Sequence, residues 1–437
     1  MPITKRRRPT ARRTATARRT ATAVSLALLA GSLAAVAPAQ ARATAGPRPA
    51  PPPASLQRDA DALRDAGVTG VSARLRTPDG ATHVVRSGVG DLRTGRPVPR
   101  DGYVRIGSTT KAYVATVLLQ LVGEGRVSLD DTVDRWLPGV VDGRGNDGRK
   151  ISLRQLLQHT SGLPDYIADV VPDPTARGYY ENRSTTHTSE ERVAFAMSHP
   201  PSFEPGARWE YSNVNYVLAG MVVKAVTGRP WDQEVRSRIL RPLGLTRTST
   251  PGDRPYLPKP HARNYQQFEA GGPLADTTLA YLPFDGDADG SMISTTAETD
   301  RFFTALLRGK LLPPAQLAEM RGTVPVPDEQ GAPPGTRYGL GIQWTPLSCD
   351  AGDTSGGGGA GGTGGYWGHG GTGFGSVLFP AVTADGRSAV TVSAHSRPGD
   401  QNTSESQIRG ITDLIDHALC ATDGHRTDIG RGAVTLP

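Results

Sequence analysis

The chain has 437 residues, 49 Lys and Arg against 42 Asp and Glu for a formal net charge of +7, and 37% hydrophobic residues. That length and composition suit a globular protein with a sizeable core. Eight of the cations, from Lys5 to Arg19, sit in the first 41 residues, which hold no acid; the other 41 basic residues face 42 acidic ones, so the charge gives no footing for a nucleic-acid partner.

Residues 1–41 read as a signal peptide: a cationic start, the apolar run AVSLALLAGSLAAVA, and the small-residue site Ala39-Gln40-Ala41. The protein is therefore expected to be secreted. The pair Arg18-Arg19 hints at twin-arginine export, but bulky apolar residues do not follow it, and the route stays open. No later stretch approaches the roughly 20 apolar residues that cross a bilayer, and no Cys lies near the cleavage site, so no stable membrane anchor is expected. Residues 42–54 (RATAGPRPAPPPA) form a Pro/Ala linker, 55–422 one large folded unit, and 423–437 a polar tail.

Within that unit SLQRDADALRDAG predicts a helix, and VSARLRT and THVVRSGVGD predict alternating strands joined at Asp79-Gly80. A long, mostly helical middle follows. RYGLGIQW, FGSVLFPAV and SAVTVSAH restore strand character, and SESQIRGITDLIDHALC predicts a closing amphipathic helix. Strands at both ends with helices between them predict an α+β architecture, its antiparallel sheet assembled from the two termini around an inserted helical lobe.

Three places carry chemistry. Ser108-Thr109-Thr110-Lys111 opens the apolar helical stretch AYVATVLLQLVGEG. Residues i and i+3 share a helix face, so the Lys111 amine can reach the Ser108 oxygen and make it a nucleophile. The second is Tyr211-Ser212-Asn213, just before VNYVLAGMVVKAVTG. A Tyr serves as proton shuttle here if its phenol is acidified; lowering a pKa from about 10 to about 7 takes about 4 kcal/mol, which one ammonium at about 4 Å supplies at an effective dielectric of about 20. Lys111 is thus expected to acidify Tyr211, leaving Asn213 to orient substrate or Lys111. Tyr180-Glu181-Asn182 fits the same pattern but lies in a polar segment with nothing to hold it.

The third place is the Gly-rich run from Tyr366 to Gly375, with His369, Gly371 and Thr372, leading into a strand. Backbone N–H groups near Thr372, with that of Ser108, can face an oxyanion, and His369 can donate to substrate or support Tyr211. Gly359 to Gly364 fits a dinucleotide pattern only because residues 352–365, a hairpin insertion, are so rich in Gly. The nine His lack ligand spacing, so neither metal nor cofactor is expected, and His159 reads as a fold residue. In an exported chain the only two cysteines, Cys349 and Cys420, read as one disulfide.

S-x-x-K, Y-x-N and H-x-G in this order resemble the penicillin-recognising serine hydrolases, the superfamily of β-lactamases and penicillin-binding proteins. RIGSTTK, ISLRQLLQHTSGLPDY, PGARWEYSNVNYVLAG, DADGSMISTTAETDRFF and YGLGIQWTPLSC look like segments of secreted D-alanyl-D-alanine carboxypeptidases. The resemblance implies Ser108 as nucleophile, Lys111 as its partner, Tyr211 as proton shuttle and His369 at the third motif. Gln343 stands where those carboxypeptidases carry an Arg that helps hold the substrate carboxylate, and Gly370 where they carry a Thr. The function so implied is an exported serine acyl-hydrolase, first a D-alanyl-D-alanine carboxypeptidase acting on peptidoglycan stem peptides and binding β-lactams. An esterase or D-amino-acid amidase/peptidase on small substrates is the alternative. A non-catalytic penicillin or muropeptide binder stands third, because the triple motif is intact.

Overall fold

The computed structural model describes residues 53–328, 332–350 and 364–422. The leader, nearly all of the linker, the tail and most of the 352–365 insertion lie outside the described residues.

The sheet is antiparallel and built from both ends of the unit. Its strands run in the order Val324–Pro325, Arg337–Tyr338, Gln343–Pro346, Gly365–Gly368, Ser376–Thr383, Ala389–Ala394, Gly70–Arg76, Thr82–Asp91 and Arg96–Pro97. The seam between the termini lies in the middle, where Gly70–Arg76 pairs with Ala389–Ala394 in the register Ala73 to Val392. Alternation in THVVRSGVGD predicted the strand Thr82–Asp91, and the turn at Gly80 takes φ +87°. Only RYGLGIQW departs from expectation. It splits into Arg337–Tyr338 and Gln343–Pro346, because Gly341 turns at φ +79° with its α-carbon against Ala115 and Tyr216, where no side chain fits.

Helices cover both faces. Ala54–Asp65 and Gln401–Thr422 bury Leu56, Leu63, Ile411, Leu414 and Ile415 against Val71, Leu75, Val390 and Val392 of the sheet. On the other face Thr296–Leu307 presents Phe302, Phe303 and Leu306 to a larger core containing Leu378 and Val382. That core continues into the inserted helices. Thr110–Gly123 is apolar almost all round and has 11 of its residues buried, as befits a central helix; Val214–Thr227, also mostly apolar, packs beside it. Local caps fix the surrounding loops: Ser152 and Gln155 make a reciprocal capping box at the start of Leu153–Gln158, as do Thr188 and Glu191 at Ser189–Met197.

Cys349 and Cys420 are bridged, tying the end of the strand Gln343–Pro346 to the closing helix across 71 residues. Among the described residues no helix is long and apolar enough to cross a membrane, and no group of three or more His, Cys, Asp or Glu could hold a metal ion.

Candidate active site

Ser108 sits in the 3-10 turn Gly107–Thr109 that leads into the central helix, and Lys111 lies in that helix's first turn. Lys111 Nζ is 3.1 Å from Ser108 Oγ, 2.8 Å from Asn213 Oδ1 and 2.7 Å from the Asp289 carbonyl, donating to all three. The amine is fully buried, and desolvation lowers its pKa to about 8 against the opposing charges of Asp289 and Asp165. About a tenth of the amines are therefore neutral at pH 7, enough to work as a base.

The Tyr211-Ser212-Asn213 segment is pinned from behind by the HTSGLPDY segment. His159 Nδ1 accepts from the Ser212 N–H at 3.3 Å and the Asn215 amide at 3.1 Å, Ser212 Oγ donates to the Pro164 carbonyl, and the His159 ring stacks on Tyr211 with centroids 4.3 Å apart. Asp165 accepts from both the backbone N–H and the side-chain amide of Asn213, at 3.3 and 2.8 Å. This orients the Asn213 carbonyl at Lys111, so a buried chain runs from Asp165 through Asn213 to the amine.

Tyr211 corrects one expectation. Burial pushes its phenol above the ordinary value, and the neighbouring Ser108 hydroxyl only partly opposes this. Lys111 lies 5.0 Å from the centroid of the ring, over its face, and it shares its charge with three acceptors; the acidification expected of it is absent. Tyr211 is a neutral O–H at physiological pH. Tyr180, the decoy, is exposed and donates to the Asp276 carbonyl, outside the site.

The strand Gly371–Gly373 lies directly on the Ser108 turn. A Cβ at Gly371 would fall 1.8 Å from the Ile106 carbonyl oxygen, and one at Gly107, where φ is +48°, would fall 2.7 Å from Thr372 O and 3.0 Å from Thr372 N. Only glycines permit that approach, which sets the Thr372 amide beside the Ser108 turn. Gly373 and Ser376 flank a two-residue turn. Since such a turn closes on a hydrogen-bonded pair, the next pair, Thr372 and Val377, exchanges no ladder bonds, and the Thr372 N–H points away from the sheet.

His369 stands behind this strand. Its Nδ1–H donates to the Gly370 carbonyl at 2.7 Å and its Nε2 accepts from Tyr338 Oη at 2.9 Å, while burial and the Lys111 charge lower its pKa to about 3. Both ring nitrogens are thus committed within the fold. The His369 carbonyl accepts from Thr109 Oγ1 at 2.7 Å, which ties the strand to the Ser108 turn. Gln343 pairs with Gly368 and Tyr338 in the sheet and does not line the cleft at Ser108.

That cleft holds about 290 Å³. Ser108, Asn213 and Thr372 border it with Ile167, Val171, Phe284 and Phe374, which form an apolar wall. Asp285 and Asp289 also border it; Asp289 Oδ2 accepts from Tyr166 Oη at 2.7 Å, and burial raises Asp285 to about 6. The structure thus joins Ser108, Lys111, Tyr211, Asn213 and Thr372, with Gly371 as their packing contact. Sequence reasoning missed Asp165, Asp289, Tyr338 and the apolar wall. Asp165 at least stood in a conspicuous segment, HTSGLPDY, next to a residue type that can accept from Asn213.

A family model described as Beta-lactamase matches residues 56–409. Among solved structures, a D-stereospecific amidohydrolase from Streptomyces sp. is 38% identical, with a TM-score of 0.72, over 84% of this chain and 98% of that one. Among curated proteins, penicillin-binding protein 4 of Amycolatopsis lactamdurans is 31% identical over 44% of this chain and 48% of its own length. Esterase EstB of Burkholderia gladioli is 32% identical over 42% and 47%. The chain spans about half the length of these curated relatives.

Proposed function

Since the chain belongs to the Beta-lactamase family and is a serine hydrolase of that fold, we propose that it hydrolyses amide bonds following a D-amino acid, in amides and short peptides. The observation that carries this reading is the apolar stretch of cleft wall beside an intact Ser108, Lys111 and Tyr211 set: Phe284, Phe374, Ile167 and Val171 offer an apolar seat for a side chain. The end-to-end likeness to a D-stereospecific amidohydrolase supports it.

In this mechanism neutral Lys111 takes the Ser108 proton across 3.1 Å as Oγ attacks the carbonyl carbon. The Ser108 and Thr372 N–H groups hold the oxyanion. Tyr211, a neutral phenol, passes its proton to the leaving nitrogen, and the phenolate takes one back from the Lys111 ammonium, which returns the amine to its neutral form. Loss of the amine leaves an ester on Ser108, which water clears by the reverse relay. Asn213 and His369 are positioning residues, the first holding Lys111 and the second the strand that carries Thr372.

D-alanyl-D-alanine carboxypeptidase action on stem peptides, with β-lactams acylating Ser108, is the second reading; the 31% identical penicillin-binding protein favours it. Secretion to the cell-wall space fits either.

Intact-mass measurement with a penicillin or fluorophosphonate is expected to show one adduct, absent in Ser108→Ala. A panel of D- and L-amino-acid amides, D-Ala-D-Ala peptides and short esters is expected to show turnover of D-amides and D-peptides with L-forms inert. An adduct that persists in Ser108→Ala, or equal rates on L- and D-amides, overturns the proposal.

A further inference from the structure

Arg397 is a partly buried cation at the edge of the Ser108 cleft, without an ion-pair partner among the described residues. It ends the short strand Ser396–Arg397, which pairs in parallel with Tyr265–Gln267. Its side chain borders the cleft with Thr372, Gly373 and Phe374, and on its other side it borders a cavity of about 1200 Å³ beside the helix Gln401–Thr422. Among the described residues no acid offsets its burial: desolvation alone lowers its pKa, and Nε, sealed from solvent, has no hydrogen-bond partner. The carboxylates of Asp328, Asp400, Glu405, Asp413 and Asp416 line the far cavity, yet none makes an ion pair with it.

Arg74 and Arg192 also have an Nε without a hydrogen-bond partner, but their guanidinium groups are answered. Arg74 pairs with Asp300 at 3.2 Å, and Arg192 donates to the Pro283 and Leu282 carbonyls and to Tyr166. The acids that share the cleft with Arg397 bond elsewhere, Asp289 Oδ2 to Tyr166 Oη and Asp285 to the Tyr281 N–H at 3.1 Å, while Asp289 Oδ1 has no partner. A guanidinium that borders the nucleophile's cleft with its Nε sealed and no carboxylate partner points to an anionic ligand. A guanidinium grips a carboxylate through two parallel hydrogen bonds.

We infer that Arg397 holds a carboxylate of the substrate, replacing the cation that Gln343 does not provide. This rests on the reading of Ser108 as the nucleophile of an amidohydrolase and narrows it: acids such as peptides with a free carboxyl end are preferred over their neutral amides. The shared chemistry is the carboxylate, which can sit on the leaving group or on the acyl group.

The test is the ratio of kcat/KM for carboxylate and neutral members of three pairs, measured on wild type, Arg397→Gln and Arg397→Lys. D-Ala-D-Ala peptides and their carboxamides place the charge on the leaving group. N-succinyl and N-acetyl D-alanine amide place it on the acyl group. The 4-carboxyphenyl and 4-carbamoylphenyl acetates report on Arg397 even if no D-amide is cleaved, so a failure of the amidohydrolase reading shows as silence on the first two pairs alone. Wild type is expected to prefer the carboxylate in at least one pair. Arg397→Gln is expected to cut that ratio about ten- to a hundredfold, with Arg397→Lys recovering part of it. A wild-type ratio of one or below in every pair, or a ratio unchanged in Arg397→Gln, overturns the inference. If Arg397→Gln fails to fold, Arg397→Lys decides: a ratio that stays at the wild-type value refutes a bidentate grip.

Discussion

Asp165→Asn tests the buried relay through its effect on Lys111. The Asp165 carboxylate and the Lys111 ammonium are linked through the Asn213 amide by hydrogen bonds of 2.8 Å on each side. That places the charges about 7 Å apart, for which Coulomb's law at an effective dielectric of about 20 gives about 2 kcal/mol, or roughly one and a half pKa units. Asp165 stabilises the protonated amine, so the isosteric amide, which still accepts from Asn213, lowers the Lys111 pKa. In wild type, kcat/KM should climb tenfold per pH unit up to about 8 and then level. In Asp165→Asn the break should move to lower pH by roughly one to two units, and a weaker base should lower the plateau. The assay is kcat/KM between pH 5 and 10 on a neutral ester, whose own ionisation stays constant. A break that stays in place, or moves upward, refutes the assignment of Lys111 as the base and Asp165 as its electrostatic partner.

Tyr211→Phe should cut kcat by about a hundredfold or more while Ser108 still labels, since general acid–base catalysis contributes about that much; Tyr180→Phe should change kcat by less than about twofold, and equal effects would place the proton relay elsewhere. Gly371→Ala drives a methyl into the Ile106 carbonyl oxygen, so it should lower the melting temperature and the rate of Ser108 labelling together; labelling at the wild-type rate would mean that the strand does not frame the nucleophile. Reduction of Cys349–Cys420 releases a constraint over 71 residues worth about 4 kcal/mol in the chain-entropy account, and should lower the melting temperature by about 5 °C; two alkylatable thiols in denatured, non-reduced protein would remove the premise.

Local periodicity carried most of what the sequence determined. Three-residue spacing put Lys111 within reach of Ser108 wherever the helix came to rest, and two-residue alternation marked Thr82–Asp91, because both signals depend only on neighbouring backbone geometry. Strand character at both ends likewise foretold a sheet closed by Gly70–Arg76 and Ala389–Ala394. What burial does to charge was not legible. Lys111 looked near enough to acidify Tyr211, but the phenol is enclosed by its near neighbour Trp209 and by His159 and Tyr338 from segments far from it in the chain, and their summed desolvation outweighs one amine. Tertiary contact also decided which nitrogen of His369 was left free, and Tyr338 together with the Gly370 carbonyl left none. For Arg397 the reason is the same: an arginine shows its charge in a sequence, but only packing decides that no acid among the described residues pairs with it.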